Sequence, residues 1–210
     1  NIGNQNNKGG HTLRIALAQT DIIWEDKKAN RAIAETMIAK AARNECDIII
    51  FPEMSLTGFS MNISVISEPV DSSETIKFFS EQSKKNNIHI CFGAALIDSD
   101  AKIRNYAIVV DNNGNVISKY AKIHPFSHGV ESKYFTGGDH IEWFDLNGVT
   151  SSQFICYDAR FPEIFQAASY KSRLIIIIAC WPDVRTYHWE TLLKARALEN
   201  QCFIAAVNRT

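Results

Sequence analysis

The 210-residue sequence lacks several features that mark specialised classes of protein. Charge of one sign is not in excess, because 22 basic side chains stand against 23 acidic ones and leave a formal net charge of −1. Nucleic-acid-binding proteins usually carry a basic surface, so we expect no nucleic-acid partner. The longest apolar run, Leu174 to Cys180, is far shorter than the roughly 20 residues of a membrane-spanning helix. We therefore expect no membrane partner, no signal peptide and a cytoplasmic location.

Cysteine is also scarce and poorly arranged for structural chemistry. The five cysteines are odd in number and widely scattered, and they form no C-x-x-C pair. Disulfide frameworks and zinc sites both require closely spaced or paired cysteines, so neither is expected and the thiols should be reduced.

What is present is the composition of an ordinary globular domain, with 46% hydrophobic and 21% charged residues. Residues 1–12 are rich in Asn and Gly, show no apolar period and do not begin with Met, which predicts a disordered tail or an expression remnant. Residues 13–210 are expected to form one domain. The sequence stops directly after a predicted strand, which suggests that a C-terminal portion is missing.

Hydrophobic periodicity predicts an α/β fold in which strands and helices alternate along much of the chain. Asn-Gly pairs at 113–114 and 147–148 separate two pairs of predicted strands and indicate hairpins. The predicted strands cover residues 13–19, 47–51, 88–96, 104–111, 116–120, 141–145, 149–155, 174–179 and 203–207. The predicted helices cover residues 29–43, 71–87, 162–172 and 186–201.

Cys156 lies where a predicted strand gives way to a predicted helix. A thiol at such a connection lies near backbone N–H groups and the positive end of a helix dipole, and both lower its pKa and favour the thiolate. The placement therefore suggests a nucleophile. A small buried hydrophobic residue is the more common role of a free cysteine.

Two further chemical groups follow predicted strands, the carboxylate of Glu53 and the ammonium of Lys122. Glu53 is suited to act as general base and then acid if burial makes its carboxyl group easier to protonate, and Lys122 is suited to stabilise a developing oxyanion. Each also has an ordinary interpretation, a solvated loop residue for Glu53 and a solvated surface residue for Lys122. Alternatively, His124 pairs with Cys156 as in Cys-His hydrolases, and the spacing of these residues does not exclude that arrangement.

Three segments together carry a family resemblance: FPEM at 51–54, YAKIH at 120–124 and ICYDARFPE at 155–163. With ACWP at 179–182 and the stretch from RALENQ at 196–201 to VNR at 207–209, they make the chain resemble the carbon-nitrogen hydrolase, or nitrilase, superfamily. The resemblance spans essentially residues 13–210. It implies a four-layer α-β-β-α sandwich with mixed sheets.

The resemblance also implies roles for individual residues. Glu53 is implied as the base, Lys122 as the oxyanion donor and Cys156 as the nucleophile. Glu131 matches a second glutamate that supports the lysine and the substrate, and the backbone N–H of Tyr157 completes an oxyanion hole.

Within the superfamily, the sequence looks most similar to omega-amidases acting on amides of 2-oxo acids such as 2-oxoglutaramate. Arg160 is expected to bind the substrate carboxylate through its guanidinium group, and Trp181 to form one pocket wall. The alternative for Arg160 is a structural ion pair with Asp158 or Glu163. The family segments that suggest this branch are PEM at 52–54, TGF at 57–59, WP at 181–182 and HW at 188–189.

The leading hypothesis is thus an amidase that forms a thioester on Cys156 and needs neither a metal nor an organic cofactor. The alternatives are another amidohydrolase of the superfamily, acting on carbamoyl amines or deaminated glutathione, and a non-catalytic small-molecule-binding protein of the same fold. A homodimer is expected, built on the apolar side chains of the helix near Phe161 to Tyr170, unless those side chains face the core.

Overall fold

The computed structural model describes residues 12–210. The tail predicted over residues 1–12 lies outside the described residues, apart from Thr12. None of the helices in residues 12–210 is long and apolar enough to cross a membrane.

The strands of this described part are β1 (Ile15–Leu17), β2 (Ile48–Ile50), β3 (Glu68–Pro69), β4 (His89–Ile97), β5 (Ile103–Val110), β6 (Val116–Ala121), β7 (Trp143–Leu146), β8 (Val149–Ile155), β9 (Leu174–Ala179) and β10 (Phe203–Asn208). The α-helices are α1 (Lys27–Arg43), α2 (Ile63–Ile66), α3 (Glu74–Asn86), α4 (Glu131–Tyr134), α5 (Pro162–Ser169) and α6 (Thr186–Asn200). Single 3₁₀ turns span Val70–Ser72, Cys156–Arg160 and Asp183–Arg185.

The strands form two mixed sheets. The first has the order β1-β2-β4-β5-β6, with β3 paired to β4, and its β1, β2 and β4 are parallel whereas β4, β5 and β6 are antiparallel. The second has the order β10-β9-β8-β7, with β7 antiparallel to β8 and the other neighbours parallel. Both predicted hairpins are present, as β5-β6 and β7-β8.

The two sheets pack face to face between two layers of helices. Because side chains alternate across a strand, Ile48 and Ile50 of β2 join a core with β8 and β9, whereas Ile49 joins a second core with α1 and α3. On the far side of the second sheet, Phe165 of α5 and Trp189 of α6 are buried. The predicted α-β-β-α sandwich is confirmed.

Helix α3 begins later than predicted, at Glu74 rather than at residue 71. The hydroxyl of Ser73 accepts a hydrogen bond from the backbone N–H of Ile76 at 3.1 Å and so caps the helix there. Residues 70–72 form a 3₁₀ turn instead. The helix therefore begins directly after its capping residue, three residues later than predicted.

The surface predicted for a homodimer is only partly available. Phe165 and Ala168 of α5 are fully buried in the core of their own chain, because α5 turns this face toward the second sheet. Tyr170, directly after the helix, is 85% exposed. The expected apolar stripe is therefore smaller than the sequence indicated, and the homodimer stays a prediction.

Candidate active site

The ends of three strands bring the predicted triad to one place. Glu53 follows β2, Lys122 follows β6 and Cys156 follows β8. The side chains of Glu53 and Lys122 are buried, and the Lys122 ammonium lies 2.9 Å from Glu53 Oε1. Lys122 and Cys156 line the same cavity. The solvated roles considered for Glu53 and Lys122 are therefore wrong.

Glycine at position 93 allows the loop that carries Glu53 to pass close to β4. A Cβ atom at Gly93 would lie 2.4 Å from the backbone nitrogen of Met54, so a larger residue would displace the loop. Ser55 fixes this approach, because its N–H donates to the Gly93 carbonyl at 3.0 Å and its hydroxyl accepts from the Gly93 N–H at 2.8 Å. Glu53 is thus held on a loop anchored to the central strands of the first sheet.

Both carboxylate oxygens of Glu53 accept hydrogen bonds. Oε1 accepts from the side-chain amide of Asn105 at 2.7 Å and from Lys122 at 2.9 Å. Oε2 accepts from the backbone N–H of Cys180 at 2.9 Å. These charge-assisted contacts fix the orientation of the carboxylate.

Lys122 lies between two buried carboxylates, those of Glu53 and Glu131. Its ammonium donates to Glu131 Oε2 at 2.9 Å and Oε1 at 3.1 Å, and Glu131 also accepts from the backbone N–H of Phe126 at 2.6 Å. Burial opposes the charge of Lys122, yet the two glutamates outweigh burial and raise its pKa. Lys122 therefore carries a permanent positive charge beside the cavity.

Cys156 occupies the start of a strained turn between β8 and α5. Its φ of 45° lies in the left-handed region, which costs energy for a residue with a side chain. Asp158 stabilises the turn, because one carboxylate oxygen accepts from the Ile155 N–H at 3.1 Å and from the Tyr120 hydroxyl at 2.8 Å. Arg196 supports the other end by donating to the Ala159 carbonyl at 3.1 Å.

The prediction that Cys156 is a thiolate is wrong. Burial and, next, the negative charge of Glu53 raise the pKa of the Cys156 thiol well above its usual range, and the opposing effect of Lys122 is smaller. In addition, a 3₁₀ turn of five residues separates Cys156 from α5, so the thiol does not lie at the first turn of that helix. The sulfur keeps its proton at neutral pH and needs a base to remove it.

His124 has contacts that differ from those of a catalytic base. Its Nδ1 lies 2.9 Å from Asp158 Oδ1, and its ring stacks on Phe161 with centroids 3.6 Å apart. Its backbone N–H also donates to Asp158 at 3.0 Å. These contacts connect the loop after β6 to the turn of Cys156, and they favour a structural role for His124.

A cavity of about 90 Å³ opens beside the thiol. The long loop after β6 contributes Phe126 to it. The residues that line the cavity are Phe59, Lys122, Phe126, Cys156, Tyr157, Arg160, Cys180, Trp181, Pro182 and Arg185. Both expected substrate-binding residues, Arg160 and Trp181, are among them.

Arg160 is held against aromatic rings rather than in an ion pair. Its guanidinium lies 4.9 Å from the ring centroid of Trp181 and 5.9 Å from that of Tyr157. Among residues 12–210 it forms no ion pair within 4 Å, with Asp158 and Glu163 included. The structural ion pair considered for Arg160 is therefore absent from the described residues, and Arg160 lines the cavity.

Sequence reasoning missed several residues of the site. Asn105 lies inside a predicted strand and gave no local signal, although it contacts both glutamates. Cys180 was not singled out as a site residue, yet it lines the cavity and its backbone N–H donates to Glu53. Arg185 is a second arginine among the residues that line the cavity, and its position shortly after Trp181-Pro182 could have indicated it.

Residues 12–210 contain no group of three or more His, Cys, Asp or Glu side chains arranged to hold a metal ion. The cavity is lined by two thiols and the ammonium of Lys122, and the carboxylates of Glu53 and Glu131 contact that ammonium. Together these groups suit nucleophilic and acid-base chemistry.

Comparisons with known proteins agree with this geometry. A model of the carbon-nitrogen hydrolase family matches residues 14–210. The 2-oxoglutaramate amidase of Bacillus subtilis is 34% identical over 198 residues, which cover 93% of this chain and 76% of that protein. The omega-amidase YafV of Yersinia enterocolitica is 30% identical over 198 residues, covering 94% of this chain and 75% of that protein.

Solved structures share the fold. XC1258 from Xanthomonas campestris, described as a CN-hydrolase superfamily protein with an arsenic adduct in the active site, matches with a TM-score of 0.88 and 30% identity. The match covers 96% of this chain and 77% of that chain. Nit3 of Saccharomyces cerevisiae, a member of branch 10 of the nitrilase superfamily, matches with a TM-score of 0.86 and 26% identity, covering 94% and 76% of the two chains.

Proposed function

The chain belongs to the carbon-nitrogen hydrolase family, and from this premise we propose that it is an omega-amidase. The reaction is hydrolysis of a carbon–nitrogen bond other than a peptide bond, in the linear amide of a small 2-oxo acid. The substrates that fit the proposal are 2-oxoglutaramate and 2-oxosuccinamate, and the products are the 2-oxo acid and ammonia.

One observation carries the proposal: a thiol with a raised pKa shares a cavity with a lysine held between two buried glutamates. Burying such charges is costly, and a fold does not need them for its stability. A thiol that keeps its proton requires a neighbouring base, and Glu53 supplies one. The arrangement supports nucleophilic catalysis over a role in binding alone.

The first half-reaction forms a thioester. Glu53 accepts the proton of Cys156 as the sulfur attacks the amide carbon, and the carbonyl oxygen becomes an oxyanion. The ammonium of Lys122 and the backbone N–H of Tyr157 stabilise that charge. As the tetrahedral intermediate collapses, Glu53 returns the proton to the amine, the carbon–nitrogen bond breaks and ammonia leaves.

The second half-reaction releases the acid. Glu53, again ionised, accepts a proton from a water molecule that attacks the thioester carbon. The new tetrahedral intermediate expels the Cys156 sulfur, which recovers the proton from Glu53. Lys122 keeps its charge through both halves because the flanking carboxylates raise its pKa. The net reaction consumes one water and changes no redox state.

Two guanidinium groups support a substrate that bears a carboxylate. Arg160 and Arg185 both line the cavity, and Trp181 lies between them in sequence with only 5% of its surface exposed. The Trp181 indole N–H donates to the Arg185 carbonyl at 2.9 Å, which fixes the backbone of that arginine. An arginine pair against an aromatic wall suits a short, flat, anionic acyl group.

The alternative substrates within the superfamily remain a second candidate. A carbamoyl amine that carries an ammonium group at its other end would place a positive charge toward Arg160 and Arg185, which is unfavourable. Deaminated glutathione carries carboxylates, as a 2-oxo acid amide does, and the panel of amides described below separates the two. The names of the most similar proteins, with 2-oxoglutaramate amidase among them, also favour the omega-amidase.

Turnover of a panel of amides tests the proposal. Ammonia release is measured with 2-oxoglutaramate, 2-oxosuccinamate, a carbamoyl amine and deaminated glutathione, and C156A is the control for contaminating activity. Acid quenching followed by mass spectrometry should show an acyl adduct on the peptide that contains Cys156. If the protein hydrolyses another amide but neither 2-oxo acid amide, the proposed substrate is wrong. If it hydrolyses none of the amides, the proposed amidase activity is contradicted.

We also propose a homodimer in the cytoplasm as the working form. The exposed aromatic ring of Tyr170, with the partly buried Ile164 nearby on α5, is the apolar surface that supports self-association. Light scattering at micromolar concentration should give the mass of a dimer, and a monomer would contradict this assembly. Free thiols in all five cysteines are consistent with a reducing compartment.

A further inference from the structure

We propose that Asn105 is a positioning residue of the catalytic centre, and that it directs proton transfer from Cys156 to one particular oxygen of Glu53. Asn105 and Lys122 together occupy Oε1 of Glu53, so that Oε2 receives the proton. The inference rests on the proposed function, because it assigns Glu53 the role of base.

Asn105 contacts all three charged residues of the site. It lies on β5 and is 1% exposed. Its side-chain amide donates to Glu53 Oε1 at 2.7 Å and to Glu131 Oε1 at 3.0 Å, so both hydrogens of its NH₂ group are used. Its backbone carbonyl accepts the N–H of Lys122 at 2.8 Å. One neutral residue therefore fixes the spacing of two carboxylates and the lysine between them.

The hydrogen bonds of Glu53 distinguish its two oxygens. A carboxylate oxygen has about two acceptor positions. Oε1 takes two donors, Asn105 and Lys122, whereas Oε2 takes only the Cys180 N–H among residues 12–210. The position left open on Glu53 is thus on Oε2, and a proton that leaves the thiol is directed there.

The side-chain oxygen of Asn105, Oδ1, is buried and has no hydrogen-bond partner among the described residues. If the amide group were rotated, this oxygen would face the Glu53 and Glu131 carboxylates and be repelled by both. The two glutamates therefore set the orientation of the amide, and its oxygen is left without a hydrogen bond. A buried amide with a purely structural role would instead be satisfied at both ends.

Gln153 provides that comparison within the same protein. It is fully buried between the two sheets, its amide donates to the Ala107 carbonyl at 2.9 Å and to the Ser118 hydroxyl at 3.0 Å, and its oxygen lies 3.6 Å from the Cys91 sulfur. It forms no hydrogen bond with Glu53 in the described structure. Gln153 is therefore the matched control for loss of a buried amide.

The test measures the pH dependence of Cys156 alkylation by iodoacetamide in the wild type, N105A, N105S and Q153A. Alkylation needs no substrate, so an error in the proposed amide does not affect it. Removing the Asn105 donor makes the ionised form of Glu53 less stable. The acid limb, the range in which the alkylation rate falls as the pH is lowered, should therefore shift to higher pH by about one unit in N105A and N105S. Q153A should melt at a lower temperature but keep the wild-type limb.

N105D gives a second, opposite signature with little change in side-chain size. Its side chain can donate to Glu53 only while it is protonated, so alkylation should fall as the pH rises through its ionisation. Melting curves identify the folded variants. The proposal is overturned if folded N105A or N105S has the wild-type acid limb, or if Q153A shifts that limb as much as they do.

Discussion

Replacing Lys122 by methionine should destabilise the protein as well as inactivate it. Lys122 is 1% exposed, and it separates Glu53 and Glu131, which are both fully buried. K122M keeps the length of the side chain but leaves two carboxylates without a counter-ion. Removing one partner of a buried ion pair typically costs about 3–5 kcal/mol. For a domain of this size, that cost lowers the melting temperature by roughly 6–20 °C.

The double variant K122M/E131Q separates the charge from the shape of the site. It removes one of the two stranded carboxylates, so the buried net charge returns to that of the wild type. We expect much of the lost stability to return while amide hydrolysis stays absent, because the cation at the oxyanion remains missing.

Acid pH provides a further check of the same reasoning. In K122M the stranded carboxyl groups are neutral when protonated, so folding favours proton uptake. The deficit in melting temperature should shrink as the pH falls from 7.5 to 5. Circular dichroism at several pH values measures it. If K122M melts at the wild-type temperature at pH 7.5, the buried cluster does not have the electrostatic cost described here.

Three other predictions follow from the site. R160M should raise KM for 2-oxoglutaramate far more than for a neutral amide of similar size, as steady-state kinetics will show, and equal effects would remove its role toward the carboxylate. G93A should lose about 1–3 kcal/mol in urea unfolding along with activity, because its Cβ would meet the Glu53 loop at 2.4 Å, and a stable, active variant would contradict that packing. Burial raises the pKa of Cys91, Cys156 and Cys180 in the folded protein. Their contribution to stability is therefore complete below the ordinary thiol pKa of about 8.5 and declines as the pH rises above that value. Urea unfolding at pH 8 and pH 10 should show a lower free energy of unfolding at pH 10, and equal values would refute this prediction.

Much of the fold was predictable because periodicity reports burial directly. The strand at 174–179 has the predicted bounds, and the Asn-Gly pairs gave both hairpins. The two-sheet arrangement came from the family resemblance, since alternation shows that a strand is buried but not which sheet it joins. Helix α3 shows a limit of local sequence patterns, because Ser73 caps it and its start lies three residues after the predicted one.

The site was predictable to the extent that its residues follow strands. Glu53, Lys122 and Cys156 could be found because a polar residue after an apolar run stands out. Asn105 lies within a strand, and its importance depends on partners 52 and 26 residues away in the sequence. The protonation of Cys156 depends on burial and the charge of Glu53, and neither can be read from the residues next to the cysteine.

The turnover number of E53Q compared with that of H124N tests the central claim most directly. E53Q preserves the shape of the side chain but removes the proton acceptor, so kcat should fall at least roughly 10²- to 10⁴-fold. H124N should lose far less, because His124 contacts Asp158 and Phe161 at the edge of the turn. With circular dichroism confirming that both variants fold, a retained kcat in E53Q and an inactive H124N would show that a Cys-His pair, and not the Glu-Lys-Cys site, performs the chemistry.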